Sequence, residues 1–246
     1  MNKKTVVVTG SSRGIGACIA SEFAKDGYNV VINYNNSEEK GYELYNKLKD
    51  LGYSVRIFKA DVSNRFEANS LINYCIGEFE NIDVLINNAG ISQYKLFTDI
   101  TESDWSNVMN VNLNSVFYTT QKALQYMIPN YSGKIINISS IWGIVGASGE
   151  VHYSTSKAAL IGMTKALAKE LGPSNISVNC IAPGIINTDM IKDIDSDVIE
   201  SLREETPLMK IGEPIDIAKA ALYLANDSGN FLTGQVLSPN GGFVIY

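Results

Sequence analysis

The chain is short of the features that would tie it to several large function classes. It has three cysteines, Cys18, Cys75 and Cys180, which are odd in number, far apart and in no metal-like spacing. That excludes a disulfide framework and fits buried or half-buried thiols in a reducing compartment. No cluster of lysine and arginine is present, and the formal net charge is -6 at pH 7, so a nucleic-acid partner is not expected. No stretch approaches the ~18 apolar residues of a membrane span. The apolar run behind the basic N-terminus covers only Thr5 to Val8, too short for the core of a signal peptide, and a cytoplasmic protein is expected. Linkers rich in proline, glycine and serine are missing, as are repeats and low-complexity segments, so residues 1–246 read as one domain.

What is present is the composition of an ordinary globular protein, 45% hydrophobic and 19% charged. Short β-rich runs alternate with longer helical patterns. Strands are predicted at Thr5–Thr9, Asn29–Asn33, Val55–Ala60, Val84–Asn87, Lys134–Ile138, Ser177–Ile181 and Gln235–Leu237. Helices are predicted at Ile15–Asp26, Glu38–Leu51, Arg65–Glu80, Ser103–Met127, Tyr153–Leu171 and Pro214–Ala225. Runs such as Val6-Val7-Val8 and Val84-Leu85-Ile86 are apolar without a break, as in strands covered on both faces. Regular β-α alternation with right-handed crossovers predicts an α/β fold, a single-domain Rossmann-type doubly wound parallel sheet. The irregular stretch from Gly184 to Pro214 follows a strand, where such folds build their ligand crevice, and reads as a partly helical substrate lid.

The first strand runs into Thr9-Gly10-Ser11-Ser12-Arg13-Gly14-Ile15-Gly16 and then a helix. Three glycines allow a sharp turn and close approach to a pyrophosphate, while the helix N-terminus offers free N–H groups and a positive dipole end. The spacing departs from the common dinucleotide fingerprint, but its place between strand and helix supports the same reading. At the end of the second strand, Tyr34 and Asn35 stand where an acid would bind the ribose hydroxyls of NAD, and no acid occurs before Glu38. With Arg13 in the glycine loop and no repelling carboxylate, NADP is the expected cofactor.

Tyr153 and Lys157 lie four residues apart on a predicted helix, hence on one face. A phenol with an ordinary pKa near ~10 is a poor proton relay at neutral pH, and a neighbouring ammonium is expected to lower it. Tyr153 can then exchange a proton with a carbonyl oxygen, and Ser140, just past a strand end, can donate to the same oxygen. His152 adjoins Tyr153, but adjacent helix positions point different ways, so it is expected to line the substrate entrance or simply pack.

Together these motifs resemble the short-chain dehydrogenases/reductases: Thr9-Gly10-x3-Gly14-Ile15-Gly16, Asn87-Asn88-Ala89-Gly90, Tyr153-x3-Lys157, and Pro183-Gly184 followed by Ile186 and Thr188. Val111-Asn112-Leu113, Asn137-Ile138-Ser139-Ser140 and Asn240-Gly241-Gly242 are similar to the 3-oxoacyl-[acyl-carrier-protein] reductase branch. The resemblance covers essentially the whole chain. It implies that Asp61 and Val62 flank the adenine, and that Asn88, Ala89 and Gly90 support the ribose side and the central sheet. It implies further that Ile186 and Thr188 hold the nicotinamide carboxamide, and that Lys157 also holds the ribose. Asn112 would mark a helix distortion that binds a water and relays protons to Lys157. A homotetramer is typical of the family, and an acyl carrier protein is the implied partner. Against that partner, Pro129–Gly133 and Gly172–Asn175 hold no base, leaving Lys165, Lys169, Arg203 and Lys210 as candidates for a patch. The alternatives are a reductase of a free ketone, sugar, steroid or modified-protein ketone, and a non-catalytic NADP-binding protein.

Overall fold

The computed structural model describes residues 3–189 and 195–245. Seven parallel strands form one sheet in the order β3-β2-β1-β4-β5-β6-β7. They are β1 Thr5–Val8, β2 Asn29–Tyr34, β3 Val55–Lys59, β4 Val84–Asn87, β5 Gly133–Ile138, β6 Ile176–Ile181 and β7 Val236–Leu237. Helices α1 Gly14–Lys25, α2 Glu38–Asp50, α3 Arg65–Phe79, α4 Glu102–Met109, α5 Ser115–Met127, α6 Trp142–Val145, α7 Val151–Leu171, α8 Ser196–Glu204 and α9 Pro214–Ala225 connect them. The winding reverses between β1 and β4, which pair side by side with Val8 opposite Ile86. Such a reversal opens a crevice at the carboxyl ends of the strands.

The unbroken apolar strands follow from the two layers. Val6, Val8, Val30, Ile32, Ile86 and Ile136 face one core with Ile19, Phe23 and Ile217 of α1 and α9. Val7, Val31, Leu85, Ile135 and Val178 face the other with Leu71, Ile72 and Met127 of α3 and α5. Alternate residues of each strand point to opposite faces, so a strand sandwiched by helices needs apolar residues at every position. Cys75 and Cys180 are buried free thiols and Cys18 is half-buried.

Two features depart from expectation. The long helix predicted over 103–127 is broken by a π-helical turn, Asn110–Asn114, between α4 and α5. Helical periodicity averaged over both halves hides a single-turn insertion of this kind. The turn Trp142–Val145 is helical although its four residues are too few for a periodic signal. Of the stretch read as a lid, 190–194 lie outside the described residues, while Ile186 bridges Gly212 and α8 follows at Ser196–Glu204.

A polar chain crosses the centre of the second layer. Asn87 and Asn137 are cross-strand partners, and Asn87 donates to Asn137 Oδ1 at 2.9 Å and to Thr120 Oγ1 at 3.1 Å. Thr119 donates to Asn87 Oδ1 at 2.7 Å, and Asn137 donates to Thr164 Oγ1 at 2.9 Å. This network ties β4 and β5 to α5 and α7 at the depth where the crevice begins. Because its members are buried, removing one strands its partners. Asn137→Ala should lower the unfolding free energy by about 2–4 kcal/mol, summed over two unpaired groups, as read by urea denaturation. A loss below about 0.5 kcal/mol would mean that water replaces the amide at no cost.

Candidate active site

The carboxyl ends of β1, β2 and β4 form one braced unit. Gly10 and Gly14 sit at φ +60° and +57°, where a side chain is strained. A Cβ on Gly10 would lie 2.8 Å from Ala89 Cα, and one on Gly16 would lie 2.6 Å from Gly10 O. Thr9 Oγ1 accepts from the N–H groups of Asn88 and Ala89, each at 3.0 Å. Asn88 Nδ2 donates back to Thr9 O and Gly10 O at 2.9 and 3.0 Å. The loop after β4 therefore holds the glycine loop open, and Asn88 acts through this bracing.

Sequence reasoning missed two residues that shape the loop from the other side. Asn33 Oδ1 accepts from Gly10 N at 2.9 Å, and Asn33 Nδ2 donates to Ala60 O at 3.1 Å. Ser11 Oγ accepts from Asn33 N at 2.9 Å and donates to Val8 O at 2.7 Å. A polar residue ending an otherwise apolar buried strand was the available signal. Arg13 is the N-cap of α1, with extended backbone, and its own side chain makes no cap hydrogen bond to the helix N-terminus. Ser12 and Ile15 are half-buried beside it.

The positions assigned to the adenosine side lie together at the ends of β2 and β3. Asp61 accepts from Ser63 N and Oγ at 2.9 and 2.6 Å, and Val62 is buried. Asn35 is exposed, whereas Tyr34 is buried with its ring against Gly41 and edge-on to Tyr42. The Tyr34 side chain thus belongs to the packing of α2. On the far side of the crevice, Gly184 N donates to Pro239 O at 3.0 Å, and a Cβ on Gly184 would lie 2.7 Å from Asn240 Cα. Pro183 O accepts from Ile141 N at 3.0 Å. Ile186 turns its side chain into the core, and Thr188 stands over Gly14.

The three chemical side chains converge. Lys157 Nζ donates to Ile138 O at 2.9 Å, and Ser139 Oγ donates to Lys157 O at 2.7 Å, so the end of β5 is stitched to α7 at both ends of the lysine. The Ser140 hydroxyl accepts from Trp142 N at 3.2 Å and lies near enough to the Tyr153 phenol to favour its ionised form. Lys157 Nζ lies 5.6 Å from the centre of the Tyr153 ring. α6 can cross α7 because position 143 is glycine, where a Cβ would lie 2.7 Å from the Lys157 carbonyl carbon. A Cβ at Gly90 would come within 3.2 Å of Lys157 Nζ and 3.3 Å of Asn112 Oδ1.

Asn112 sits in the π turn, fully buried. Its Oδ1 accepts from Ile91 N at 2.8 Å, and its Nδ2 donates to Ile91 O at 2.9 Å and Ser156 Oγ at 3.0 Å. Both ends of the amide are engaged, so the side chain braces the loop after β4 against α7. His152 is fully buried, with Nε2 3.3 Å from Gln93 Oε1, and it packs. The loop Ser92–Lys95 and the turn Gly149–Glu150 form a wall that sequence reasoning did not find. Ser92 donates to the Glu150 carboxylate, and Lys95 N donates to Gly149 O at 2.7 Å.

Comparison with known proteins agrees with this arrangement. The pattern of the short chain dehydrogenase family matches residues 4–199. The chain belongs to that family. It is 43% identical over 239 residues to the 3-oxoacyl-[acyl-carrier-protein] reductase FabG of Chlamydia trachomatis, covering 97% of this chain and 96% of the relative. It is 39% identical over 239 residues to the enzyme of the same name from Staphylococcus aureus, covering 97% of each. A blue fluorescent protein from a metagenomic library, solved in complex with NADPH, superposes with a TM-score of 0.93 at 34% identity, covering 99% of both chains.

One expectation for this short chain dehydrogenase needs correction. Lys157 was expected to pull the Tyr153 phenol down, yet Tyr153 is pushed up to about 12. Burial is the main cause; the Ser140 hydrogen bond opposes it, and the Glu150 charge adds to it. The Lys157 ammonium is spent on the Ile138 carbonyl beside the ring. Its own pKa falls from 10.5 to about 8, because burial disfavours the charge. Folding thus favours the neutral amine, while the unfolded chain keeps the proton from about pH 8 to 10.5. Raising the pH through that window stabilises the folded state. Denaturant melts should show stability rising between pH 8 and 9.5 in the wild type and a flatter profile in Lys157→Met. Equal slopes in the two proteins would contradict the buried, depressed amine.

Proposed function

We propose that the protein is an NADPH-dependent 3-oxoacyl reductase in which Ser140, Tyr153 and Lys157 carry the chemistry. The observation that carries this reading is the convergence of the Ser140 and Tyr153 side chains beside the Lys157 amine, which lies 5.6 Å from the centre of the Tyr153 ring. The residues present fit a dinucleotide: Gly10 and Gly14 take the positive φ of a tight loop that leads straight into the N-terminus of α1, where Arg13 makes no side-chain cap. The α1 N-terminus and Arg13 would hold the phosphates, with Asp61 and Val62 at the adenine, Asn35 at its ribose, and Lys157 and Thr188 near the nicotinamide. When bound, the cofactor supplies hydride to the carbonyl carbon.

The protein's part is to hold and move a proton at the carbonyl oxygen. Ser140 Oγ donates to that oxygen as it gains charge, and Tyr153 Oη delivers the proton. Lys157 provides positive charge at short range. The π turn around Asn112 sets the spacing of α7 and the loop after β4, and a proton relay to Lys157 would pass beside this brace. The lid reading of 184–214 on the single domain is supported, within the described residues 184–189 and 195–214, by Thr188, which stands over the glycine loop.

The names of the curated relatives support a carrier-bound 3-oxoacyl thioester as substrate, and so a role in fatty-acid synthesis. A second reading, a carrier-free ketone, is favoured by the scarcity of unengaged cations. Lys134 Nζ is taken by Asn226 O and Asn230 Oδ1 at 3.2 and 2.8 Å, and Arg203 is paired with Glu200. Lys165 and Lys169 of α7, with Lys210, remain exposed and would form the carrier's landing point. Self-association into a tetramer is supported by exposed apolar side chains, Phe66 and Phe117 on α3 and α5, and Phe231 and Ile245, which flank β7 in sequence. Among the described residues no helix is long and apolar enough to cross a membrane, and a cytoplasmic location is proposed on composition.

Tyr153→Phe should lose about 10²–10⁴-fold in kcat while NADPH affinity stays within about two-fold; lost binding would remove Tyr153 from proton transfer. For the substrate, KM for a 3-oxoacyl-carrier protein should be at least about ten-fold below that of the same acyl group on a short pantetheine analogue. Equal values would favour the carrier-free reading.

A further inference from the structure

Three charges from three separate segments of the chain meet at the adenosine end of the crevice. Lys40, in the first turn of α2, places Nζ 2.6 Å from Asp189 Oδ2. Arg13, in the glycine loop, places Nη1 3.8 Å from the same oxygen. The side chains of Arg13 and Lys40 are 56% and 48% exposed, and that of Asp189 is 27% exposed. The two cations are therefore within reach of solvent, with a carboxylate oxygen between them. Asp189 follows Thr188, which stands over Gly14, so the carboxylate is delivered across the mouth of the glycine loop. The neighbouring acid Glu38 is turned to Lys59 at 3.8 Å. Sequence reasoning found Arg13 but had no means of finding Lys40, which is 27 positions away and lies on a different helix.

Two cations converging on one oxygen from the loops after adjacent strands are arranged to hold an anion. A phosphate has more charge and more acceptor oxygens than a carboxylate and can engage both cations at once. Resting on the NADPH reading above, we propose that Lys40 is the second cation of the clamp for the cofactor's 2′-phosphate. Asp189 is its internal stand-in, holding Arg13 and Lys40 together until the phosphate displaces it. NADPH then competes with an anion that the protein itself supplies, whereas NADH, which lacks the 2′-phosphate, does not.

Competition gives the two side chains opposite effects on one measurable ratio. Calorimetric Kd values for NADPH, NADH, 2′,5′-ADP and 5′-AMP would be compared across wild type, Lys40→Met, Lys40→Arg and the near-isosteric Asp189→Asn. Lys40→Met should weaken NADPH and 2′,5′-ADP by about ten-fold and leave NADH and 5′-AMP within about two-fold, while Lys40→Arg keeps most of the preference. Asp189→Asn should tighten NADPH and 2′,5′-ADP by about two- to five-fold, the scale of a half-exposed ion pair, without tightening NADH. Equal losses for both cofactors in Lys40→Met, or unchanged or weaker NADPH binding in Asp189→Asn, would overturn the clamp. A wild type that binds NADH as tightly as NADPH would instead overturn the cofactor reading itself.

Discussion

The burial of one ammonium group organises the centre of this protein. Lys157 is 4% exposed and its partner is the main-chain carbonyl of Ile138, the last residue of β5. An amine at such depth is tolerated only where a fixed acceptor meets it and bulk is kept away. The surroundings meet both demands. Gly90 leaves the amine room on one side, Gly143 lets α6 lie against its backbone, and Ser139 binds its carbonyl. Asn112 then secures the loop carrying Gly90 through Ile91 and Ser156. Local departures from regular structure, the π turn and the short α6, occur where this lysine must be accommodated.

From that centre, order passes outward through hydrogen bonds rather than through apolar packing alone. Asn87 and Asn137 join β4 to β5 beneath the site, and Thr9 with Asn88 joins β1 to β4 at its rim. Asn33 joins β2 to the glycine loop. Each is a polar side chain at or near a strand end, where the sheet's own ladder runs out and backbone groups need other partners. The crevice is thus a seam of substituted hydrogen bonds, which explains why it keeps a fixed shape although loops build it.

This division also explains what the sequence reveals. The strands were legible because double coverage forces every residue to be apolar, and the glycine loop because only glycine accepts positive φ at positions 10 and 14. Tyr153 and Lys157 were legible because helical spacing converts four residues into one face. The sense of the tyrosine shift was not, since it depends on burial against a specific oxygen and not on proximity in the chain. Asn33, Ser92, Gln93 and Glu150 were missed because their roles come from partners 20 to 60 residues away, beyond the range of any local pattern. The π turn hides for a related reason, as one extra residue barely disturbs a 3.6-residue period over two long helices.

The electrostatics of the site tie its proton exchange to what occupies the crevice. Burial pushes the phenol up to about 12, so Tyr153 carries its proton in the resting protein and is a weaker acid than a free phenol. With the amine at about 8, Lys157 is still mostly charged at pH 7 and raises the local potential where a reduced oxygen would gain charge. Delivering the proton leaves a phenolate in a buried site, and the reverse reaction starts from that phenolate, so both directions need an ionisation that the free protein's own charges do not support. Positive charge brought in with a ligand, or a strengthened Ser140 hydrogen bond, has to lower the phenol first. The burial that raises Tyr153 therefore does more than shelter the reaction from water: it makes proton exchange in either direction conditional on occupancy of the crevice.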